Sequence, residues 1–359
     1  MVLLGRTSQY NECMSEVMHD VLVIGAGPTG LACAIDAQNV GCSVAVVDKG
    51  CLTNSLFHYP ANMTFFTTPE LLEIGNIPFP SPNQKPSRGE ALEYYRKVAE
   101  RYKLELHLYE TVKSVSGADG DFTVHTEDEF GRVREHRARK LIVTTGYYDL
   151  PNPLNVPGEE LSKVMHYYNE PHPYFGRDVL VVGGKNSAAI AALELYRHGA
   201  RVTLVHRGAD LHRHIKYWIK PDIENRIKNG EVAAYFNTTV KSIGYDEVVL
   251  ATPEGEKTIP NQHVFALTGY KPDFTFIESM GITLDPNNSR CPIYNTETFE
   301  SNIPGIYVAG VVVAGERTNE VFIENGRFHG AVIAKDLADK LGKASVAAPV
   351  KPEHTYAAE

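Results

Sequence analysis

A glycine-rich stretch near the start of the chain carries residues suited to two kinds of chemistry. In VIGAGPTGLACAIDA, Gly25, Gly27 and Gly30 are spaced G-x-G-x-x-G, and Cys33 follows three positions later. Glycines at this spacing permit a tight turn and a close approach of the backbone to a pyrophosphate. A cysteine beside such a loop is a candidate redox centre. The stretch therefore predicts dinucleotide binding and raises the question of thiol exchange.

A strand and a helix must position these glycines. A run of β-forming residues ends at Ile24, an alanine-rich helical segment follows Gly30, and a second apolar strand ends at Asp48. Free N–H groups at the start of a helix favour phosphates, and a carboxylate ending the second strand accepts hydrogen bonds from an adenosine ribose. We therefore predict that this first loop binds a dinucleotide.

Cys33 is predicted to be a packing residue rather than a redox centre. It lies inside the helix between two alanines, and a buried free cysteine behaves as a small, inert hydrophobic residue. We expect Cys42 and Cys51 to be structural, and Cys13 and Cys291 to be free thiols in a leader and a loop. Five cysteines without a dense framework predict a reduced, cytoplasmic protein.

The stretch DVLVVGGKNSAAIAA repeats the strand–turn–helix plan later in the chain. Its turn begins at Gly183 and has Lys185 in place of the second glycine of the motif. The next strand ends with His206 and Arg207, where an NAD site carries an acid. Because an arginine can bind a 2′-phosphate bidentately and an acid would repel it, the second loop predicts NADP rather than NAD.

More positive charge follows this second unit, at Arg213 and Lys216. His212 and His214 form an H-x-H pair around Arg213, but a lone H-x-H without further support does not make a metal-binding pattern. We therefore expect no metal site.

The composition limits the class of protein. The chain has 359 residues, 43% of them hydrophobic and 22% charged, which suggests about two globular domains. The net charge of −9 argues against nucleic acid as a partner, since binding phosphates requires an excess of Lys and Arg. No segment reaches the roughly 20 apolar residues of a membrane span, so we expect no membrane partner.

The order of these units resembles that of the thioredoxin-reductase-like flavoproteins. The FAD loop comes first, TTG at 144–146 closes that strand set, the NADPH loop follows, and GIYVAGVVVAG marks a return to the first domain. The resemblance implies an α/β fold of two Rossmann-like domains, with the NADPH domain inserted in the FAD domain. We predict a leader (1–18), an FAD domain (19–150 and 273–342), an NADPH domain (151–272) and a tail (343–359).

More specific stretches resemble the bacillithiol disulfide reductase family. They are YPANMTFFTTPELLEIGNIPF, GEALEYYRKVA, TTGYYDLPNPLNVPG, HPYFGRDVLVVGGKNSA and FIENGRFHG. Lys185, and Val311 where related flavoproteins have an aspartate, belong to this family's pattern. Thr29 departs from it, because the family commonly has a cysteine there. A thioredoxin-type C-x-x-C is absent, since no cysteine lies between Cys51 and Cys291.

The resemblance implies FAD and NADPH as cofactors and two sets of binding residues. For FAD they are Gly25, Gly27, Pro28, Thr29, Gly30, Asp48, Lys49, Tyr59, Phe66, Val112, Thr145, Gly146, Gly310, Val311, Glu324 and Asn325. For NADPH they are Gly183, Gly184, Lys185, Asn186, Ser187, Ala188, His206, Arg207, Arg213, Lys216 and Gly269.

The implied reaction passes hydride from NADPH through the flavin to the disulfide of a small thiol. With Thr29 in the flavin-facing position, we expect direct reduction by the flavin, or a thiol supplied in trans. The catalytic residues are not identified by the sequence, and the candidates are Thr29, His58 and His329. A final helix from about Glu324 to Leu341 is expected to point its N-terminus at the flavin.

Three alternatives remain open at this point. A ferredoxin–NADP reductase of the same fold would use a small redox protein as its partner, and a flavin monooxygenase would react with oxygen. A flavoprotein sensor would bind both cofactors with negligible turnover. The related flavoproteins also imply a homodimer or homotetramer.

Overall fold

One mixed sheet and one parallel sheet form the centre of the molecule. A computed structural model of the chain describes residues 17–343; most of the predicted leader and tail, with Cys13, lies outside them. The strands are β1 (Met18–Ile24), β2 (Val44–Asp48), β3 (Glu105–Leu108), β4 (Glu110–Ala118), β5 (Asp121–Asp128), β6 (Val133–Val143), β7 (Leu150–Pro151), β8 (Val164–Met165), β9 (Asp178–Val182), β10 (Arg201–Val205), β11 (Ala233–Tyr235), β12 (Thr239–Ile243), β13 (Glu247–Thr252), β14 (Gly255–Pro260), β15 (His263–Ala266), β16 (Tyr270–Lys271), β17 (Leu284–Asp285), β18 (Cys291–Pro292) and β19 (Ile306–Val308).

Helices cover these sheets. They are α1 (Pro28–Asn39), α2 (Asn54–Phe57), α3 (Arg88–Tyr102), α4 (Asn186–Arg197), α5 (Lys220–Lys228), α6 (Phe274–Ser279), α7 (Ile323–Gly326) and α8 (His329–Leu341), with 3-10 turns at Pro69–Leu72, His172–Tyr174 and Gly310–Ala314. Among the described residues, no helix is long and apolar enough to cross a membrane.

The first sheet is built from two distant stretches of the chain. Its order is β3-β2-β1-β6-β5-β4, and β19 also pairs with β6. Strands β1, β2 and β19 run parallel to their neighbours, and β4, β5 and β6 form an antiparallel meander. The valine-rich parallel strands are buried on both faces, as parallel strands require. The carboxyl ends of β1, β2, β6 and β19 therefore meet at one edge.

The intervening residues build the second sheet, in the order β11-β10-β9-β15-β8. A three-stranded sheet of β12, β13 and β14 packs beside it, and β7 pairs with β16. Strands β7 and β16 lie where the predicted NADPH domain begins and ends. This pairing supports the predicted division into domains, which stays a prediction.

Helices α1 and α8 pack closely because small residues lie between them. A β-carbon added to Gly330 would lie 2.8 Å from the Cα of Cys33. Cys33 itself is 1% exposed, which confirms its packing role. Ala34, Ala37, Ile333 and Leu337 complete this contact, and burying each large aliphatic side chain contributes about 1.5–3 kcal/mol.

The predicted continuous final helix is wrong. Helix α7 ends at Gly326 and α8 starts at His329. Gly326 is a poor helix residue, and the Arg327 side chain turns away to donate hydrogen bonds to the carbonyl oxygens of Glu70 and Glu73. The segment that faces the first glycine loop is thus a separate single turn.

The remaining cysteines follow the predictions with one correction. Cys42, Cys51 and Cys291 are free thiols. Cys291 is buried in β18 rather than placed in a loop, and it accepts a hydrogen bond from Arg317 at 3.2 Å.

Replacing Asp36 with asparagine is expected to stabilise the protein at alkaline pH. Asp36 lies on α1 against Gly330 of α8, and burial raises the pKa of its carboxyl to about 7. The folded state therefore holds a proton that the unfolded chain has released, and stability falls as pH rises from about 4 to 7. We expect a gain of up to about 4 kcal/mol at pH 8 and about 2 kcal/mol at pH 5.

Urea unfolding of the FAD-loaded protein at both pH values measures this gain. Asp339→Asn, at an exposed position on α8, the helix that packs against α1, serves as the control and should change little. An equal effect of D36N at both pH values would contradict the assigned proton.

Candidate functional site

The first glycine loop leaves open space where a pyrophosphate would bind. Gly25 has φ +114°, and a β-carbon there would lie 2.6 Å from the carbonyl oxygen of Thr144. A β-carbon on Gly30 would lie 1.9 Å from the carbonyl oxygen of Gly25, whereas one on Gly27 would meet nothing within 4 Å. Helix α1 begins at Pro28 without a side-chain cap. Its free N–H groups therefore face the space above Gly27 and fit an anion.

Asp48 stands beside this loop at the end of β2. Its Oδ2 accepts a hydrogen bond from the backbone N–H of Ala26 at 2.7 Å, and its Oδ1 accepts one from Gly50 at 2.8 Å. Burial raises the pKa of this carboxyl, and the two hydrogen bonds oppose the rise. Lys49 forms an ion pair with Asp149 at 3.0 Å. The carboxylate is thus oriented by the loop that it helps to shape.

A cavity of about 140 Å³ opens beside Asp48. The predicted residues that line it are Gly25, Asp48, Lys49, Val112, Thr145 and Gly146. The Oγ1 of Thr145 is buried without a hydrogen-bond partner. A buried hydroxyl without a partner is costly unless a ligand satisfies it. The cavity, the carboxylate and this hydroxyl together fit the adenosine end of an FAD molecule.

Thr29 lies where three separate segments meet. A β-carbon on Gly326 would lie 3.0 Å from the Oγ1 of Thr29, and one on Gly310 would lie 3.3 Å from its Cγ2. The predicted FAD residues of α1, of the turn that contains Val311, and of α7 are therefore neighbours. A β-carbon at 310 or 326 would crowd the Thr29 side chain, so the two glycines give it room.

Both candidate histidines make backbone contacts. The Nδ1 of His329 accepts a hydrogen bond from the backbone N–H of Gly310 at 3.1 Å, and its ring stacks on Phe299 at 4.3 Å. The Nδ1 of His58 contacts the carbonyl oxygen of Asn54 at 2.9 Å. His329 is thus placed to position the turn at Gly310. Proton transfer by either residue stays a prediction.

The segments expected near the flavin hold a cluster of tyrosines. Tyr59 contacts Tyr148 with ring centroids 4.8 Å apart, and Tyr148 contacts Tyr270 at 4.4 Å. Phe66 instead contacts Trp218, with ring centroids 5.9 Å apart. The ammonium of Lys216 lies 5.6 Å from the centroid of the Phe66 ring. Phe66 and Lys216, assigned to different cofactors, therefore lie beside each other.

The two α7 residues differ in what they contact. Burial raises the pKa of the Glu324 carboxyl, with Lys216 and Arg327 opposing the rise. The Asn325 side chain is used locally, because it accepts a hydrogen bond from the Phe322 N–H at 2.7 Å and donates one to the Glu320 carbonyl oxygen at 2.9 Å. Asn325 therefore shapes the turn that presents Glu324.

The second glycine loop holds the ring of His206. A β-carbon on Gly184 would lie 2.4 Å from this ring, and Gly183 has φ +153°. Burial is the main cause that lowers the pKa of His206, and the neighbouring Arg207 lowers it further. A neutral imidazole therefore packs on the turn, and Arg207 beside it is exposed to a ligand.

Asn186, at the start of α4, bonds the segment 213–216, which we call the basic segment. Its side chain donates to the carbonyl oxygen of His214 at 3.3 Å and accepts from the N–H of Lys216 at 2.9 Å. Burial lowers the pKa of His212, and nearby Lys185 and Arg213 lower it further. Positive groups thus surround the second loop. Ser187 and Ala188 continue α4, and Gly269, with φ +92°, precedes β16.

Sequence reasoning missed several residues of these sites. Thr144 donates hydrogen bonds to the carbonyl oxygens of Ile24 and Gly25 at 3.0 and 2.9 Å, and its place in the TTG strand was a usable signal. The other cavity-lining residues were not assigned to a cofactor from the sequence; they are Ile24, Val47, Glu110, Thr111, Tyr147, Asp149, Leu150, Lys271, Asp273 and Phe276.

Comparison with known proteins agrees with this geometry. The family model for pyridine nucleotide-disulphide oxidoreductases matches residues 22–310. Bacilliredoxin reductase of Bacillus subtilis (strain 168) is 44% identical over 90% of this chain and 99% of its own. A ferredoxin–NADP reductase of Saccharopolyspora erythraea is 30% identical over 82% of this chain and 85% of its own.

A solved structure, bacillithiol disulfide reductase from Bacillus cereus, superposes with a TM-score of 0.88. It is 44% identical and covers 90% of this chain and all of its own. The fold is thus thioredoxin-reductase-like, with two dinucleotide-binding units. The chain belongs to the pyridine nucleotide-disulphide oxidoreductase family and, within it, to the bacillithiol disulfide reductases.

Proposed function

We propose that the protein is an FAD-dependent enzyme that uses NADPH to reduce the disulfide of a bacillithiol-type small thiol. The observation that carries this proposal is that each glycine loop is followed by a strand whose end has a different charge. An acid, Asp48, ends β2 after the first loop, and a base, Arg207, follows β10 after the second. Asp48 suits an unphosphorylated ribose, and Arg207 suits a 2′-phosphate. The substrate class rests on the names of the relatives at 44% identity.

The residues of the first loop would hold FAD by its phosphates and ribose. The N-terminus of α1 faces the pyrophosphate, Asp48 accepts from the ribose, and Thr145 offers its unpartnered hydroxyl. FAD, when bound, supplies the two-electron chemistry that links NADPH to a disulfide. Residue 29 is a threonine, and its side chain lies against Gly310 and Gly326. This position therefore offers a hydroxyl and no thiol.

Replacing Thr29 with alanine is expected to leave kcat within about threefold, far from the roughly 100-fold loss that follows removal of a general acid. A hydroxyl cannot form a mixed disulfide, so a thiol relay at this position is not part of the proposed reaction. NADPH oxidation with bacillithiol disulfide under anaerobic conditions measures the rate.

Thr258→Ala, on an exposed position of β14, controls for loss of a threonine elsewhere. A large loss of kcat in T29A with normal FAD content would contradict the expectation and assign the hydroxyl a direct role.

Stepwise reduction and reoxidation test the function itself. The FAD-loaded enzyme is reduced by NADPH without oxygen and then mixed with bacillithiol disulfide, a ferredoxin or oxygen. Rapid reoxidation by the disulfide supports the proposal. Reoxidation by ferredoxin alone would favour the second candidate, a ferredoxin–NADP reductase, which the relative at 30% identity supports. A transient oxygen adduct would indicate a monooxygenase, and failure of all acceptors would indicate a sensor.

The assembly and location are part of the same proposal. We propose a homodimer or homotetramer, which light scattering after size-exclusion chromatography tests. We also propose a cytoplasmic enzyme, since reducing compartments keep free thiols such as Cys33 and Cys42 reduced.

A further inference from the structure

Three histidines and two glutamates form a connected group outside the predicted cofactor loops. The Oε1 of Glu105 lies 3.5 Å from the Nε2 of His19 and 3.1 Å from the Nε2 of His107. The Nδ1 of His107 lies 4.0 Å from the Oε2 of Glu110, and the Nε2 of His136 lies 2.6 Å from the Oε1 of Glu110. Imidazoles and carboxylates thus alternate across β1, β3, β4 and β6.

Three members of this group converge on one point. His107, Glu110 and His136 each offer one ligand atom, and these atoms all lie within 4.8 Å of one another. Glu110 is 2% exposed and His136 is 9% exposed. A buried carboxylate is costly unless it is neutralised by a partner or a metal. The three side chains therefore form a shielded pocket of donors.

A tight turn brings these residues together. Tyr109, between β3 and β4, has φ +57°. Its N–H donates to the carbonyl oxygen of Gly50 at 3.0 Å, and its own carbonyl oxygen accepts from Glu129 at 3.2 Å. These two bonds hold the left-handed residue that joins β3 to β4. The side chains of His107 and Glu110, three residues apart, consequently face each other.

The donor set suits a transition metal. Two imidazoles and one carboxylate are the ligands of many zinc sites with three protein ligands, whereas magnesium and calcium prefer oxygen alone. The contact of Glu105 with the Nε2 of His107 orients that ring and leaves its Nδ1 facing Glu110. In many zinc sites, a histidine ligand donates its other ring N–H to a carboxylate in this way.

The other partners of Glu110 leave room for an ion. Thr126 donates its hydroxyl hydrogen to the Oε1 of Glu110, and the Nη1 of Arg134 lies 3.6 Å from the Oε2. Arg134 is half-exposed and also reaches Asp128 at 3.5 Å. The guanidinium can therefore stay with Asp128 when an ion approaches Glu110.

We propose that His107, Glu110 and His136 bind one divalent zinc ion, oriented by Glu105 and His19. Zinc–ligand distances of about 2.0–2.2 Å place neighbouring ligand atoms about 3–3.5 Å apart. The Nδ1 of His107 must therefore move closer to Glu110 from 4.0 Å, and the Nε2 of His136 must move away from its present 2.6 Å contact with Glu110. Each shift is about 0.5–1 Å. All three ligands lie on strands of the first sheet. Glu110 itself and the neighbouring Thr111 line the cavity beside Asp48, so the ion ties β3, β4 and β6 together at the wall of that cavity.

Metal titration of the intact, FAD-loaded protein tests this site. After treatment with a chelator and dialysis, the protein is equilibrated with zinc chloride, and bound zinc is measured by mass spectrometry. We expect one equivalent per chain. His107→Gln and His136→Gln should each weaken binding by at least about 100-fold, since even outer-layer changes at metal sites cost about 10- to 100-fold.

Two matched variants serve as controls. His125→Gln removes a half-buried histidine from β5, and His214→Gln removes one from the basic segment; both should bind zinc like the unchanged protein. Unaltered binding in H107Q and H136Q, or loss of binding in H214Q, would overturn the proposal.

X-ray absorption at the zinc edge gives a second measurement that needs no variant. Two imidazole nitrogens and at least one oxygen at about 2.0–2.2 Å are expected. A shell with sulfur, or with oxygen alone, would refute the assignment even if H107Q and H136Q failed to fold. Absorbance of bound FAD in each variant reports whether the fold is intact.

Discussion

Alanine at position 30 should destabilise the first glycine loop, whereas alanine at position 27 should leave the stability of the fold nearly unchanged and strongly weaken FAD binding. A β-carbon at 30 would lie 1.9 Å from the carbonyl oxygen of Gly25, but one at 27 meets open space. Backbone atoms cannot yield cheaply, so we expect G30A to lose about 3 kcal/mol of stability, the upper end for overpacking.

The Gly27→Ala methyl would occupy the space that the pyrophosphate needs. Loss of two hydrogen bonds to a charged group, each about 1.5–3 kcal/mol, corresponds to at least about 100-fold weaker FAD binding. Urea unfolding of the FAD-free proteins and FAD titration separate the two effects. Gly89→Ala, at an exposed position in the first turn of α3 where a β-carbon would meet nothing closer than 3.9 Å, is the control for a glycine without a cofactor role. Equal loss of stability in G27A and G30A would contradict the assignment of Gly27 to the open pyrophosphate site and of Gly30 to the packed turn.

Charge reversal at Arg207 should weaken NADPH binding by about 100-fold and leave NADH nearly unaffected. Arg207 follows β10 at the carboxyl edge of the second sheet, exposed beside the His206 ring. Charge-assisted hydrogen bonds to a 2′-phosphate contribute about 1.5–3 kcal/mol each, and a glutamate there adds repulsion. The measurement is KM for NADPH and for NADH with the same disulfide.

Lys228→Glu provides the control for R207E, because it makes the same change of net charge in the last turn of α5. It should leave both KM values unchanged. A similar rise of KM for NADPH and NADH in R207E would place the 2′-phosphate elsewhere.

Local patterns in the sequence predicted the strand, turn and helix around both glycine loops, and the structure has these elements there. The glycines, the acid at the end of the next strand, Lys185 and Arg207 each lie close in the chain to the loop they belong to, so their placement depends on few distant contacts. Cofactor binding by these residues stays a prediction. The predicted final helix failed because nothing near Gly326 and Arg327 in the sequence reveals that Arg327 bonds carbonyl oxygens more than 250 residues away.

The sequence alone determined the fold class, the two loops and the contrast between Asp48 and Arg207, since these depend on local periodicity and charge. Only the tertiary structure decided that Thr29 fits between Gly310 and Gly326, and that Thr144 holds Gly25 across 119 residues of chain. It also brought His107, Glu110 and His136 together. The physical reason is that strand register and the turn at Tyr109 set which distant side chains meet, and neither is encoded in any short stretch.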